Sequence, residues 1–422
     1  MLGGAFWRLW TSSAVSNLAD GVLKVALPLV AIRYTDSPAL IAGLAFALSL
    51  PWLLFALPAG ALADRLDRRQ VMIWANVARG LLMAALAAAA IAGVGSIWLL
   101  YAVALLVGFS ETLYDTSGQS ILPLIVPRER LSRANGRLYA VELAANQFIG
   151  PPLGGVLVTA GVAAAFATPA GLWAVAVGLL LLLRGSFRVE RAQRTTLRAD
   201  IGEGLRFLWR NPVLRMLAVM VGVSNFATNA VWAVLVLYAV GPGSAMGLTD
   251  PGFGLLLTAT AAGSLVGSFV AEWSERRLGR ARTLNLSVFT FAAFVGVPAV
   301  TADALVIGAV YFIGGLTIAV WNVITVSLRQ RITPDRLLGR LNSAYRLVAW
   351  GTIPLGAAAG GLLSEWIGLR AMFAVMAGLT LLLVAARFVI TEARLDQAER
   401  DAEAAAAEGV TGGVSTTPGV SL

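Results

Sequence analysis

The stretch from Leu57 to Met72, LPAGALADRLDRRQVM, stands between two long apolar runs of the chain. Five of the six residues from Asp64 to Arg69 are charged, and apolar residues resume almost at once after them. A transmembrane helix needs about 20 predominantly apolar residues, and the runs on both sides of this stretch have that length. The stretch therefore predicts a tight loop at a membrane surface, between two membrane-spanning helices.

The composition of the chain indicates a polytopic helical membrane protein. Of its 422 residues, 58% are hydrophobic and 13% are charged, whereas soluble domains carry about 25% charged residues. There is no cysteine and no histidine, which excludes disulfides, thiolate chemistry and imidazole ligands to a metal. Any proton chemistry must therefore use carboxylates. We expect no metal, no cofactor and no enzyme site, since the sequence has no nucleophile motif.

Twelve apolar runs long enough to cross a bilayer follow one another along the chain. The runs cover residues 8–32, 38–62, 71–93, 96–118, 137–160, 163–184, 214–240, 252–273, 283–301, 303–327, 342–366 and 370–390. The first run carries Asp20 and Lys24 and lacks a small-residue cleavage site, so we expect a retained helix rather than a signal peptide. The fold class predicted is an all-α membrane protein with twelve transmembrane helices.

The net charge of +9 comes from 32 basic residues, of which Lys24 is the only lysine. A basic chain could bind nucleic acid, or it could concentrate its cations in cytoplasmic loops. The loops that follow the even-numbered runs hold nearly all the arginines, and Arg33 and Arg370 are the exceptions. This alternation favours the second interpretation. It predicts a protein of the cytoplasmic (inner) membrane with both termini in the cytoplasm, and no nucleic-acid partner.

The two halves of the chain resemble each other. VSNLADGV begins at Val15 and VSNFATNAV begins at Val223, an offset of 223 − 15 = 208. PRERLSRAN begins at Pro127 and PDRLLGRLN begins at Pro334, an offset of 334 − 127 = 207. Two matches at nearly one offset predict two pseudo-symmetric six-helix bundles with a site between them near the bilayer midplane. The domains we expect are a first bundle at 1–185, a linker with an amphipathic helix at 186–213, a second bundle at 214–391 and a flexible tail at 392–422.

Two motifs carry a resemblance to the major facilitator superfamily. GALADRLDRR, from Gly60 to Arg69, resembles the family signature G-x-L-x-D-R-x-G-R-R, with Asp67 where the family favours glycine. GPPLGG, from Gly150 to Gly155, is similar to the exporter motif G-P-x-x-G-G, although Asn146 replaces a glycine further upstream. The segment from Gly108 to Asn135 resembles the macrolide-efflux and siderophore-exporter branch of that family.

The resemblance implies the two-bundle fold of that family, alternating access and export. It also implies roles for single residues. The loop would act as a conformational latch through Gly60, Asp64, Arg65, Arg68 and Arg69, with Asp64 interacting with a helix end of the other half. The exporter motif would comprise Gly150, Pro151, Gly154 and Gly155. The arginine that many drug–proton antiporters carry in their fourth helix is absent, because residues 97–110 contain none.

Charged and polar residues inside the apolar runs are costly and mark functional sites. The candidates for coupling or for lining a substrate cavity are Asn17, Asp20, Lys24, Arg79, Glu111, Asp115, Glu142, Asn225, Asn229, Asn322 and Arg346. Asp20 and Lys24 lie four residues apart on one helix face. They form either a self-neutralising pair or a functional site in which Asp20 changes its partner or its protonation.

Glu111 and Asp115 are also four residues apart. Two carboxylates close together in a low dielectric raise each other's proton affinity, which suits reversible protonation; the alternative is that Asp115 pairs with a loop arginine. Glu142 could lie within reach of these carboxylates or of Arg79. The second-half residues Asn225, Asn229, Asn322 and Arg346 either form hydrogen bonds between helices, the commoner role of such residues, or line the transport path.

These observations predict a secondary active exporter of small, largely apolar or amphiphilic compounds, such as drugs, macrolides or siderophores, with proton antiport as the driving process. The expected partners are a small-molecule substrate, protons and the lipid bilayer, and we expect a monomer. The alternatives are a lipid or lysolipid translocator, an importer on the same fold, and a membrane scaffold or sensor that does not transport, because a fold does not determine a function.

Overall fold

A computed structural model gives the structure of the protein and describes residues 2–63, 66–127, 130–185, 187, 197–241 and 243–411. Its helices are α1 (Gly4–Ala31), α2 (Pro38–Ala63), α3 (Arg68–Ile91), α4 (Ile97–Ile125), α5 (Leu131–Glu142), α6 (Gly150–Ala160), α7 (Val162–Leu181), α8 (Leu197–Arg210), α9 (Pro212–Ala239), α10 (Asp250–Leu278), α11 (Arg280–Val300), α12 (Ala304–Ile332), α13 (Asp335–Ile367), α14 (Leu369–Leu381) and α15 (Glu392–Thr411). A π-helical turn, Leu143–Ile149, joins α5 to α6, and a 3₁₀ turn, Leu382–Phe388, extends α14.

The described helices confirm the all-α membrane fold with twelve spans. Eleven of them are long and apolar enough to cross a membrane. The twelfth span is the composite of α5, the π-helical turn and α6, which runs without interruption from residue 131 to 160. At about 1.5 Å of rise per residue its 30 residues are long enough to cross a bilayer. The helix α8 lies between the two sets of six spans.

The fifth span changes its winding where prolines enter it. Pro151 and Pro152 lack the N–H group that an α-helix needs, and a proline ring clashes with the carbonyl group four residues earlier. The π-helical turn lies directly before them. Wider turns of this kind are often found at functional sites. The turn therefore places the side chains of Asn146 and Gln147 at a break in the helix.

The bundle has two ends that differ in charge. The arginine-rich end carries the first turns of α1 and α3 together with α8 and α15, and the arginine-poor end carries the segments at 32–37, 92–96 and 243–249. At the arginine-rich end α15 packs under the second half, in the segment for which we predict a flexible tail. Leu395 of α15 is fully buried, and Arg280 forms ion pairs with Glu392, Asp396 and Glu399 of that helix.

At the arginine-poor end the two halves touch through their backbones. A methyl group on Gly155 would lie 2.3 Å from the carbonyl oxygen of Asp250, and one on Gly254 would lie 2.3 Å from the carbonyl oxygen of Pro151. A methyl group on Gly361 would lie 2.6 Å from Cβ of Ala42. Such approaches are too close for any side chain larger than hydrogen. They close this end of the bundle between the halves.

Candidate functional site

A buried arginine organises the interior of the first half. The side chain of Arg79 on α3 is fully buried, and its guanidinium group donates to Asp20 Oδ1 on α1 at 2.8 Å. It also donates to Asn76 Oδ1 at 2.5 Å. Its guanidinium carbon lies 4.7 Å from the ring centre of Tyr114 and 4.9 Å from that of Trp173. Cation–π contacts of this kind stabilise a desolvated cation. Arg79 thus holds Asp20, rather than Glu142, which the sequence also offered as a partner.

An acidic cavity of about 410 Å³ lies beside this pair, on the arginine-rich side of the first half. Its walls carry four carboxylates, those of Asp20, Glu111, Asp115 and Glu142, from α1, α4 and α5. Asn17 also lines the cavity and donates to the Ser13 carbonyl oxygen at 2.9 Å. Among the described residues, no hydrogen bond or ion pair to a protein group engages Glu111, Asp115 or Glu142. The structure thus brings together the first-half carboxylates that the sequence singled out.

A second cavity, apolar and of about 390 Å³, lies between the halves on the arginine-poor side. Apolar side chains, chiefly leucines with alanines, prolines and two aromatic residues, form most of its wall, and its polar lining comes from Lys24, Asn146, Gln147, Asn229 and Thr260. Asn146 lines both cavities. Lys24 Nζ donates to Asn146 Oδ1 at 2.8 Å. This bond, from α1 to the π-helical turn, lies at the boundary between the two cavities.

Asp20 and Lys24 are therefore not paired with each other. Each has a partner on a different helix, Arg79 for Asp20 and Asn146 for Lys24. Four residues of α-helix separate them by about 6 Å along the axis, so one face of α1 passes from the acidic cavity to the apolar cavity. The sequence placed both residues on one helix face, and the structure shows that this face serves two cavities.

The polar candidates of the second half have different surroundings. Asn225 donates to the Ala349 carbonyl oxygen at 2.7 Å and thereby joins α9 to α13. Asn229 donates to the Asn225 carbonyl oxygen at 2.8 Å and faces the apolar cavity. Asn322 is exposed on α12. Arg346 is exposed on α13, stacks on Trp350 at 4.2 Å and lies within electrostatic reach of Asp115 across the two halves.

The GPPLGG motif packs the fifth span against two neighbours at once. A methyl group on Gly150 would lie 2.5 Å from Cα of Gly21, and one on Gly154 would lie 2.7 Å from the Val22 carbonyl oxygen. These two glycines therefore bring the span against α1. Gly155 brings it against α10 of the other half, and the Pro151 carbonyl oxygen meets Gly254 there. The motif sets both the crossing within the first half and the contact between the halves.

Side chains that the sequence reasoning did not single out for the site join the halves at the arginine-poor end. Arg33 lies 3.6 Å from Asp250 of α10. Glu365 of α13 accepts hydrogen bonds from the hydroxyl of Ser37 at 2.9 Å and from the backbone N–H of Ala39 at 3.3 Å. The one available signal was the exception of Arg33 to the charge alternation. Its position is explained by a partner in the second half.

The described part of the Leu57–Met72 loop that precedes α3 is held against the end of the sixth span. Asp67 Oδ1 accepts from the backbone N–H of Gln70 at 3.2 Å and so caps α3, while its Oδ2 accepts from the backbone N–H of Phe187 at 2.8 Å. Arg69 donates to the Leu183 carbonyl oxygen at 2.5 Å, and Arg68 is buried. Gly60 lies in the last turns of α2. Asp64 and Arg65, the centre of the latch, lie outside the described residues.

Comparison with known sequences identifies the family. A family profile described as transmembrane secretion effector matches residues 2–412. The chain belongs to this family. The transmembrane secretion effectors are transporters of the major facilitator superfamily rather than enzymes, and the resemblance drawn from the two motifs is confirmed.

Named relatives of this transmembrane secretion effector include exporters. The multidrug efflux pump Tap of Mycolicibacterium fortuitum is 28% identical over 92% of this chain and 96% of its own length. The enterobactin exporter EntS of Salmonella typhi is 27% identical over 81% of each chain. Among solved structures, a bacterial homologue of the iron transporter ferroportin in the inward-facing state superposes with a TM-score of 0.74 over 92% of this chain and 98% of that chain, at 16% identity. That likeness supports the fold alone.

Proposed function

We propose that this transporter is a secondary active exporter that carries small, largely apolar or amphiphilic compounds by alternating access and exchanges them for protons. The observation that carries the proposal is the pair of cavities along one face of α1, one acidic and one apolar. The apolar cavity lies between the halves, where transporters with two parallel repeats bind their substrates. The acidic cavity supplies carboxylates, to which we assign the proton exchange in a chain without histidine or cysteine.

The acidic cavity suits proton exchange because its carboxylates are close together and not all neutralised. Glu111 and Asp115 lie on one face of α4, and Glu142 faces them from α5. Ionised carboxylates that share a site of low dielectric repel one another, and a proton bound by one of them relieves that repulsion. Arg79 already neutralises Asp20. Protonation of the remaining carboxylates is therefore the step that we assign to the coupling.

Export is the direction that the comparisons favour. Two relatives are named as a multidrug efflux pump and an enterobactin exporter. The charge alternation supports a cytoplasmic position for the arginine-rich end, and we assign both termini to the cytoplasm with it. Since the chain has no cysteine, single cysteines introduced at Ala302 and at Arg277 test this orientation. A membrane-impermeant maleimide should label the first and not the second in intact cells.

Asp64 belongs to the same proposal as the latch of the alternating-access cycle. A carboxylate is a favourable partner for the N-terminal end of a helix, and we assign the partner helix to the second half, with Gly60 and Arg65 as parts of the same loop. Asp64→Asn should reduce transport about ten-fold or more while the protein still reaches the membrane. Normal transport by this variant would remove the latch from the proposal.

Proteoliposomes with an imposed pH gradient test the proposal as a whole. Transport of a fluorescent amphiphile by the wild-type chain should follow the gradient, and Glu111→Gln and Asp115→Asn should abolish that response. Glu272→Gln is the matched control, because Glu272 is an exposed carboxylate paired with Arg276 outside both cavities. Transport that ignores the gradient would rule out proton exchange. Movement of labelled lysolipid in place of the amphiphile would favour the translocator alternative.

A further inference from the structure

Lys24 occupies an unusual position for a cation of this chain. The chain has 32 basic residues and Lys24 is the only lysine among them, so every other basic residue is an arginine. Its neighbours in the helix, Leu23 and Val25, are buried, while the lysine side chain itself is exposed to the cavity. It is also the one charged side chain in the described lining of the apolar cavity.

A charged ammonium group in an apolar cavity needs acceptors. Moving a cation away from water is costly unless hydrogen bonds and opposite charges compensate for it. The carboxylates of Asp20, Glu111 and Glu142 supply the compensating field. Among the described residues, the hydrogen bond that Lys24 Nζ makes is the one to the amide oxygen of Asn146 at 2.8 Å. An ammonium group has three donors, which leaves capacity on the cavity side.

The partner of Lys24 indicates the chemistry that fits there. Asn146 offers an uncharged carbonyl oxygen, and it does so from the π-helical turn, where the helix is already irregular. A substrate carbonyl oxygen can take the same place without altering the balance between the ammonium group and the carboxylates. An anionic group would change that balance. Around this point the wall is apolar and includes the rings of Trp232 and Phe253.

We propose that Lys24 is the recognition residue of the apolar cavity, and that it binds uncharged apolar compounds through a carbonyl oxygen, as in an ester, lactone, ketone or amide. The ammonium group donates to this oxygen in place of, or beside, Asn146, and the rest of the compound contacts the apolar wall. Because the carboxylates of the acidic cavity also act electrostatically on Lys24, one side chain then connects the substrate with those carboxylates. The inference rests on the proposed function, of which it names the substrate class.

A set of pyrene probes tests the recognition by energy transfer from tryptophan in purified, detergent-solubilised protein, without any gradient. Methyl 1-pyrenecarboxylate has the ester carbonyl group, and 1-ethylpyrene has a similar size without an acceptor. In the wild-type chain the ester should bind about ten-fold more tightly than ethylpyrene, as expected for a hydrogen bond to a charged group. Lys24→Met should remove this advantage and leave ethylpyrene binding unchanged, whereas Lys24→Arg should retain most of it.

Controls make each outcome decisive. Arg277→Met, which removes an exposed cation outside the cavity, should leave both affinities unchanged. Equal losses for the two probes in Lys24→Met, or no loss for either, would overturn the proposal. The anion 1-pyrenecarboxylate serves as a third probe. If it binds more tightly than the ester, the proposal that the cavity prefers uncharged compounds is overturned.

The wild-type chain provides a test that does not depend on folding of a variant. Reductive methylation with ¹³C-formaldehyde labels one lysine, Lys24, and otherwise only a free α-amino group. The dimethylammonium group that it forms keeps one N–H donor, which can bond the ester in place of Asn146. The ester should shift the side-chain NMR signal of dimethyl-lysine, and ethylpyrene should not. Equal shifts with both probes would contradict the proposal. These measurements need no gradient. If the protein binds the ester through Lys24 but its transport does not respond to a pH gradient, the proposed proton exchange is rejected and the proposed role of Lys24 stands.

Discussion

The loop before α3 and the loop before α11 hold the same position in the two halves, but they cap their helices differently. In the first half the cap is Asp67, whose own carboxylate accepts from the N–H of Gln70. In the second half the cap residue is Gly279, which has no side chain and a φ of +79°. There Glu392, from the segment that follows the last span, accepts from the N–H of Ala281 at 2.8 Å. The N-terminal ends of α3 and α11 are thus each capped by a carboxylate, but the carboxylate comes from a different part of the chain in each half.

The interiors behind these loops differ more strongly. Arg79 is the twelfth residue after Asp67, and Phe291 is the twelfth after Gly279 (79 − 67 = 291 − 279 = 12). Where Arg79 stacks on Tyr114, Phe291 makes an edge contact with Trp321, with ring centres 5.7 Å apart. Aromatic packing in the second half therefore stands where the first half has a buried cation.

The crossings of the helices, by contrast, are shared. Gly154 and Gly155 in the fifth span correspond to Gly360 and Gly361 in α13, at an offset of 360 − 154 = 206. A methyl group on Gly360 would lie 2.2 Å from the Ala230 carbonyl oxygen, just as one on Gly154 would meet Val22. The repeat therefore preserves backbone packing, which every cycle of the transporter needs, and leaves the side-chain chemistry free to differ between the halves.

The largest effect should come from removing the buried cation. The side chain of Arg79 is fully buried, and Arg79→Met leaves Asp20 without its ion-pair partner. Loss of one member of a buried ion pair costs about 3–5 kcal/mol. We expect a marked fall in the thermal unfolding temperature and loss of transport. Phe291→Leu, which replaces one apolar side chain by another at the matching position, should cost less and keep transport. Equal losses for both variants would mean that the two interiors have the same role.

The sequence predicted the spans, and it singled out the first-half carboxylates that the structure places around one cavity, because both depend on residue type and on spacing along one helix. It could not predict the partners. The spacing of Asp20 and Lys24 allows them to pair with each other. In the structure α3 brings Arg79 to Asp20, and the π-helical turn brings Asn146 to Lys24. Two departures from the family motifs, Asp67 and Asn146, prove to be a helix cap and the partner of Lys24. These contacts join residues distant in sequence, which no local pattern encodes.

The shared crossings predict a second, intermediate effect that should be equal in the two halves. Gly154→Ala and Gly360→Ala each place a methyl group within 2.7 Å of a backbone oxygen, and overpacking of this kind costs about 1–3 kcal/mol. Both variants should lower the unfolding temperature by similar amounts and slow transport. Gly171→Ala is the control, because no atom of a neighbouring group lies within 4 Å of the added methyl. A large effect at Gly154 with none at Gly360 would contradict equivalent crossings.

The smallest effect, and the sharpest comparison, concerns the two caps. Asp67→Ala and Glu392→Ala should each cost about 1 kcal/mol for the lost helix cap, and each also removes a second contact, with the N–H of Phe187 for Asp67 and with Arg280 for Glu392. Because the two carboxylates share no partner, their effects should add in the double variant. Hydrogen exchange should locate each loss, with faster exchange in the first turn of α3 for Asp67→Ala and in the first turn of α11 for Glu392→Ala.

Gly279→Asp should not restore the cap removed with Glu392, because φ at this residue is +79° and suits glycine. Recovery of protection in α11 by Gly279→Asp in the Glu392→Ala background would show that the second half can be capped from within, as the first half is by Asp67.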